Sequence, residues 1–191
     1  MGVLATSTEL IRWGNQLIHY RQCSRLSEAF IARQQLMSLE TLYPGFDTWF
    51  VNRVIPGIVA GADPMFIAED AGSLVGIAIG KIGTQPKLRC VRVLPPYQNR
   101  GIGLHLIDRT LARLGADSPI TTVAEEMVMT WARILTNRYG FALTHVHKGL
   151  YRPGKLEFVY NDTALLKSSF SVVQKSATTT NVNISKFVDD N

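Results

Sequence analysis

The sequence predicts an α/β protein with a mixed central sheet flanked by helices, and three observations predict it. Apolar residues switch between helical and alternating spacing several times along the chain. Gly and Pro pairs punctuate those switches. The resulting order is strand, two helices, three strands, helix, strand, helix and two strands, which interleaves the two kinds of element. The 191 residues suffice for one domain with a sizeable core. That domain is assigned to residues 1–161, with 162–191 read as a polar, partly mobile C-terminal tail of which 165–174 can still dock.

Each element has its own signal. Residues 16–22 alternate, and Gly14-Asn15 turns them back against 9–13 as a hairpin. Leu26, Phe30, Ala32, Leu36 and Leu39 recur at helical spacing behind a Ser24 or Ser27 cap. A second helix carries Trp49, Phe50, Val54 and Ile55, with Pro56-Gly57 as its kink or stop. Strands at 65–68 and 74–82 flank the turn-forming 69–73, and 88–94 is a third, Val-rich run ended by Pro95-Pro96. The next helix lines up Leu104, Ile107, Leu111 and Leu114 and stops at Gly115. A strand at 120–124, a helix at 130–139 stopped by Gly140, and strands at 142–150 and 156–160 complete the domain.

Composition narrows the function. A hydrophobic fraction of 46% and a charged fraction of 18% exclude wholesale disorder. No run approaches the roughly 20 apolar residues of a membrane span, and the first ten lack the basic start of a secretory leader. Cys23 and Cys90 fit no zinc or redox spacing and read as reduced thiols of a cytoplasmic protein. The net charge of +5 suits a phosphorylated cofactor, a nucleic acid or an acidic protein, and serves solubility equally well.

The most informative stretch runs Val91-Arg92-Val93-Leu94-Pro95-Pro96-Tyr97-Gln98-Asn99-Arg100-Gly101-Ile102-Gly103-Leu104, from a strand through a broken turn into a helix. The first helical amides lack intrahelical acceptors and carry the positive end of the dipole, so they attract anions. Gly101 and Gly103 remove side chains that would hold a phosphate away, and Arg100 adds charge. A dinucleotide fingerprint fits worse, because position 106 is Leu where a third glycine belongs. There is no Gly-Lys-Ser/Thr for a P-loop.

On these residues the chain resembles the GNAT superfamily of N-acetyltransferases. Gln98, Gly101 and Gly103 match its Gln/Arg-x-x-Gly-x-Gly/Ala signature, and Val93-Leu94-Pro95 matches the strand end before it. Ala68-Glu69, Gly76 and Gly140-Phe141 extend the resemblance over about 17–161. It implies a splayed sheet, with acetyl-CoA as co-substrate and its pantetheine arm between the 88–94 and 120–124 strands. Val91 and Val93 would run beside that arm. Gln98, Asn99, Arg100, Gly101, Ile102 and Gly103 would hold the pyrophosphate, and the amide of Val93 or Leu94 would face the thioester carbonyl.

The catalytic positions match less closely. The tyrosine that many members place four residues before Gly-Phe is Thr136 here, a hydrogen-bond donor but a poor proton source; Tyr139 and Tyr151 lie nearby. Alternation from Val123 turns Glu125 inward, where a raised pKa would suit a general base, while Glu125 and Glu126 can equally be exposed carboxylates near a helix start. His145 and His147 share a strand face without a third ligand, so no metal is expected. The acceptor is expected to be an amine, on a small molecule or a protein, bound near Tyr43, Phe46 and Trp49. Two other readings stay open: an aminoacyl-tRNA-acetylating enzyme using Arg133, Arg138, Lys148, Arg152 and Lys155, and a non-catalytic acetyl-CoA sensor. Pairing into a homodimer through late strands follows by analogy alone.

Overall fold

The computed structural model describes residues 8–13 and 16–163. The expected 165–174 docking segment and the rest of the tail lie outside the described residues. Two sheets form. The first has order β1-β2-β3-β4-β5 and is antiparallel throughout, from β1 (Glu9–Trp13), β2 (Gln16–Gln22), β3 (Met65–Asp70), β4 (Ser73–Lys81) and β5 (Lys87–Val93). The second has order β6-β8-β7, from β6 (Thr121–Ala124), β7 (Leu143–Lys148) and β8 (Leu156–Tyr160). Between β2 and β3 run α1 (Leu26–Leu36), α2 (Phe46–Trp49) and α3 (Ile55–Val59). α4 (Ile102–Leu114) links β5 to β6, and α5 (Val128–Arg133) links β6 to β7.

The alternation of β3 and β4, reset by a bulge at Val75 where the register shifts, sorts the core into two layers. Met65, Ile67, Ile77 and Ile79 pack with Ala29, Ala32, Leu36, Phe50 and Val54 beneath α1–α3. Phe66, Ala68, Val75 and Ala78 pack with Ile102 and Leu106 of α4, together with Ile18 and Tyr20. α4 comes close because β4 carries glycine at two points where the helix side chains approach it. A Cβ at Gly80 would stand 2.9 Å from Leu114 Cδ2, and one at Gly76 would stand 3.0 Å from Leu106 Cδ1.

Three local expectations change. α1 buries Ala29, Ala32 and Leu36, while Leu26 and Phe30 are exposed, so its inner stripe is narrower and built on small residues. Neither serine caps it: Glu28 reaches back to accept from the Ser24 and Arg25 amides at 3.1 and 3.2 Å. Of the kink or stop expected at Pro56-Gly57 the stop is absent, because a wide π turn over Phe50–Val54 precedes Pro56 and α3 continues to Val59. Among the described residues no helix is long and apolar enough to cross a membrane.

Candidate functional site

The two sheets meet at one parallel bridge. Leu88 N donates to Ile120 O at 3.0 Å, Ile120 N donates to Pro86 O at 2.9 Å, and Thr121 Oγ1 donates to Leu88 O at 2.9 Å. Beyond it β5 pairs only with β4, and β6 only with β8. A gap therefore opens between the C-terminal halves of β5 and β6, the splay that the resemblance implies.

On the α4 side of this gap the lining is backbone. Leu94 N donates to Val75 O at 2.9 Å. The antiparallel alternation then makes Val93, paired with Gly76, a residue whose N–H and C=O point away from β4 and into the gap. The same phase turns Val91 outward. Leu94 is thereby removed from the pair of amides expected to face the thioester, because its N–H is already bonded within the sheet. Val93 O accepts from Gln98 Nε2 at 3.0 Å, which folds the Gln98 side chain back against the strand end.

The turn itself is pinned by Tyr97, whose hydroxyl donates to Asp70 Oδ2 at 3.0 Å and whose ring lies under the Arg100 guanidinium, 5.4 Å from centroid to carbon. Asn99 (φ 59°) and Gly101 (φ 76°) take left-handed conformations that swing the chain into α4, and fully buried Ile102 anchors the start. The first bond of the helix is His105 N to Gly101 O at 3.1 Å, so the amides of Ile102, Gly103 and Leu104 have no carbonyl one turn earlier. No side chain caps them and no acid stands in that first turn. A Cβ at Gly103 would lie 3.4 Å from Val93 Cγ2 and 3.9 Å from Val91 Cγ1, so a longer side chain there would enter the space between helix and strand. His105 packs on Tyr20 with ring centroids 4.2 Å apart and pairs with Glu9.

The opposite side of the gap is built from side chains. Tyr43, in the connection between α1 and α2, bonds to the Ala124 backbone on β6 and lies close enough to Cys90 on β5 and Glu157 on β8 to feel both. It spans the gap. Burial pushes its hydroxyl pKa up, and the Glu157 charge adds to the effect. Tyr151 meets its ring edge-on, with centroids 5.3 Å apart. Burial pushes the Cys90 thiol up to about 12, with Arg92 pulling the other way, which leaves it a poor nucleophile.

Glu157 is the residue that sequence reasoning missed. It is 1% exposed, and among the described residues neither carboxylate oxygen has a hydrogen-bond partner. Burial raises its pKa to about 7, against the pull of Arg152 and with help from the charges of Glu126 and Glu125. One signal was available: a lone acid in the run Leu156-Glu157-Phe158-Val159-Tyr160, in phase with buried Val159.

Glu125 differs from its expectation. It accepts from Lys155 Nζ and, at 2.8 Å, from the Leu156 amide, and the Lys155 hydrogen bond holds its carboxyl below the usual range. Arg152 grips Glu126 through two bonds of 2.9 and 2.7 Å and holds it at about 2. Thr136, in the π turn Ile134–Arg138, donates to Ala132 O at 2.8 Å. Tyr139 donates to Asp108 Oδ1 at 2.8 Å, and burial pushes its hydroxyl up to about 12. Both hydroxyls are thus engaged by helix partners. Of the five cations considered for RNA, Arg138, Arg152 and Lys155 each face a carboxylate. His145 and His147 stack at 5.8 Å, and among the described residues no three His, Cys, Asp or Glu gather to hold a metal.

A sequence profile described as the Acetyltransferase (GNAT) family matches residues 30–126. A GNAT-family protein from Desulfovibrio desulfuricans superposes with a TM-score of 0.59 at 19% identity, over 75% of this chain and 96% of that one. A GNAT-family acetyltransferase from Bacillus cereus gives 0.53 at 15%, over 74% and 94%. The PaiA N-acetyltransferase of Thermoplasma acidophilum, in complex with coenzyme A, gives 0.53 at 13%, over 74% and 97%. These likenesses establish a shared fold. No curated protein matches the chain in sequence.

Proposed function

Because the chain belongs to the GNAT acetyltransferase family, we propose that it moves the acetyl group of acetyl-CoA to a primary amine by direct attack in a ternary complex. It is an acyltransferase with acetyl-CoA as co-substrate. The observation that carries the finer reading is the uncapped start of α4, whose free amides stand beside the outward-facing edge of β5. The amides of residues 99–103 hold the pyrophosphate and Arg100 adds charge, as a helix N-terminus favours, while the Gln98 amide is already donated to Pro95 O at 3.3 Å. Val91 and Val93 present strand-edge groups to the pantetheine amides.

Acetyl-CoA supplies the activated acyl carbon. The chain supplies a fixed donor, the Val93 N–H, where negative charge develops on the carbonyl oxygen, and such a donor is worth about 3 kcal/mol in the transition state. With Thr136 and Tyr139 donating to Ala132 and Asp108, solvent rather than either hydroxyl carries a proton to the departing sulfur. Glu125 fastens the 149–155 loop through Lys155 and Leu156.

The test is acceptor-dependent release of free thiol. Purified protein with acetyl-CoA and a panel of primary amines should liberate coenzyme A only when an amine is present, with stoichiometric acetylamide. Tight acetyl-CoA binding without amide formation across the panel would overturn the reading.

A further inference from the structure

We propose that Glu157 is the general base and the anchor of the acceptor's ammonium group, in a subsite walled by Tyr43 and Tyr151 that selects a primary amine on an apolar or aromatic body. The proposal rests on the amine-acetylation reading above and adds the residue and the substrate class. Its ground is position. Tyr43 joins Glu157 to both edges of the gap, since the same hydroxyl meets the Ala124 backbone and lies near Cys90. Glu157 is also the register partner of Ala124, the last residue of β6, which sets it beside the edge where the strands part.

Burying a carboxylate with no hydrogen bond is unfavourable unless something compensates it, and among the described residues only the charge of Arg152 partly offsets it. The nearby cations make their hydrogen bonds elsewhere: Arg152 commits both terminal nitrogens to Glu126, with its Nε buried and unbonded, and Lys155 pairs with Glu125 and Glu126. Arg152 thus acts on Glu157 by charge alone. His147, opposite Glu157 in the β7–β8 register, neither hydrogen bonds nor ion pairs with it, and His145 stacks on His147 instead. From β5, Arg92 acts on Cys90, and its Nε is buried without a partner. From the loops, Tyr43 and Tyr151 offer faces and edges of aromatic rings. A partly desolvated ammonium completes this set, because it pairs with the carboxylate and is favoured by aromatic walls.

The same burial fits Glu157 for proton transfer, since a base that titrates near 7 is half ionised at working pH. In the step proposed, the Glu157 carboxylate takes one proton from the bound ammonium; one N–H bond breaks and one O–H bond forms. The freed nitrogen lone pair then forms the C–N bond to the thioester carbonyl carbon. The C–S bond breaks with its electron pair on sulfur, and a second N–H proton leaves through solvent to give the thiol. The proton on Glu157 returns to water. One ammonium and one acetyl-CoA yield one amide, one thiol and one proton.

The test combines kinetics with direct titration. With 2-phenylethylamine and, separately, a C-terminally amidated tetrapeptide as acceptors, wild-type kcat/KM should rise with pH through a limb near 7. Glu157→Gln should lose that limb and at least about 100-fold in kcat, and Glu157→Asp should restore part of the rate and the limb. Acetyl-CoA Kd, measured by calorimetry, should stay within about twofold in both variants. A preference for the phenylethylamine arm assigns a small amine; a preference for the tetrapeptide arm assigns a chain terminus. In wild-type protein saturated with coenzyme A, the ¹³C-labelled Glu157 carboxyl should titrate near 7, and 2-phenylethylammonium or the tetrapeptide should move that midpoint down. A midpoint that neither probe moves, or a Glu157→Gln enzyme keeping its rate and limb, overturns the proposal. Loss of acetyl-CoA binding by wild type would instead sink the reading beneath it.

Discussion

On the α4 side of the gap, the site consists of peptide groups from one continuous stretch: the outward edge of β5, the Asn99–Gly101 reversal and the uncapped first turn of α4. On the other side, it consists of side chains that arrive separately, Tyr43 from the α1–α2 connection, Cys90 from β5, Tyr151 from a loop and Glu157 from β8. A backbone site tolerates change wherever the dihedral angles survive, and it is sensitive to any atom that blocks its amides. A side-chain site depends on identity and on the ion pairs that hold its neighbours. The two halves should therefore fail in different ways, and mutations can test whether they do.

The largest effect is expected at Gly103. Gly103→Glu meets only ordinary contacts at Val93 and Val91, so the fold should accept the Cβ, while the carboxylate enters the space that the α4 amides face. Losing two charge-assisted bonds there amounts to about 4 kcal/mol, roughly a thousandfold in acetyl-CoA Kd. Calorimetric titration measures it, and urea unfolding should show stability changed by less than about 1 kcal/mol. Intact binding in this variant would erase the distinction between the halves.

Next in size is Asp63→Ala, which breaks a buried ion pair outside the α4 half. Asp63 is 4% exposed and ion-pairs with Arg89, whose guanidinium lies 5.5 Å from the Trp49 ring centroid. Removing the carboxylate leaves Arg89 half-buried without its partner, which costs about 3 kcal/mol. Here the unfolding midpoint should drop while acetyl-CoA affinity per folded molecule stays near wild type, the reverse of the Gly103 result.

The same contrast explains what the sequence could reveal. The α4 turn was legible because Gly101, Gly103 and the broken strand end sit within a dozen residues, and local backbone geometry leaves local marks. The strands around it were legible from alternation, and the splay entered through the resemblance that those marks supported. Glu157 was not legible, because its partner Tyr43 is 114 positions earlier and only the pairing of β8 with β6 brings them together. Glu125 misled for a related reason. Alternation from Val123 assumes that the strand continues, but β6 ends at Ala124, and Lys155 and the Leu156 amide then take the carboxylate. The α1 stripe misled because Leu26 and Phe30 carry the apolar period on an exposed face, while Ala29 and Ala32 fill the tighter inner one.

The smallest effect separates these two carboxylates. Glu125 is held ionised by Lys155 and the Leu156 amide, with its pKa below the ordinary range of about 4, so it carries its charge throughout neutral pH. A group that does not titrate between about pH 6 and 8 cannot produce a limb there. Glu125→Gln should therefore leave the acidic limb of kcat/KM in place. The sign of the residual change is fixed as well: the Glu125 charge helps raise Glu157, so removing it should slide the limb to slightly lower pH. A pH–rate profile over about pH 5.5 to 9 resolves a shift of a few tenths of a unit. A limb that vanished in Glu125→Gln and survived in Glu157→Gln would return the proton transfer to the end of β6 and leave the buried acid of β8 a structural expense.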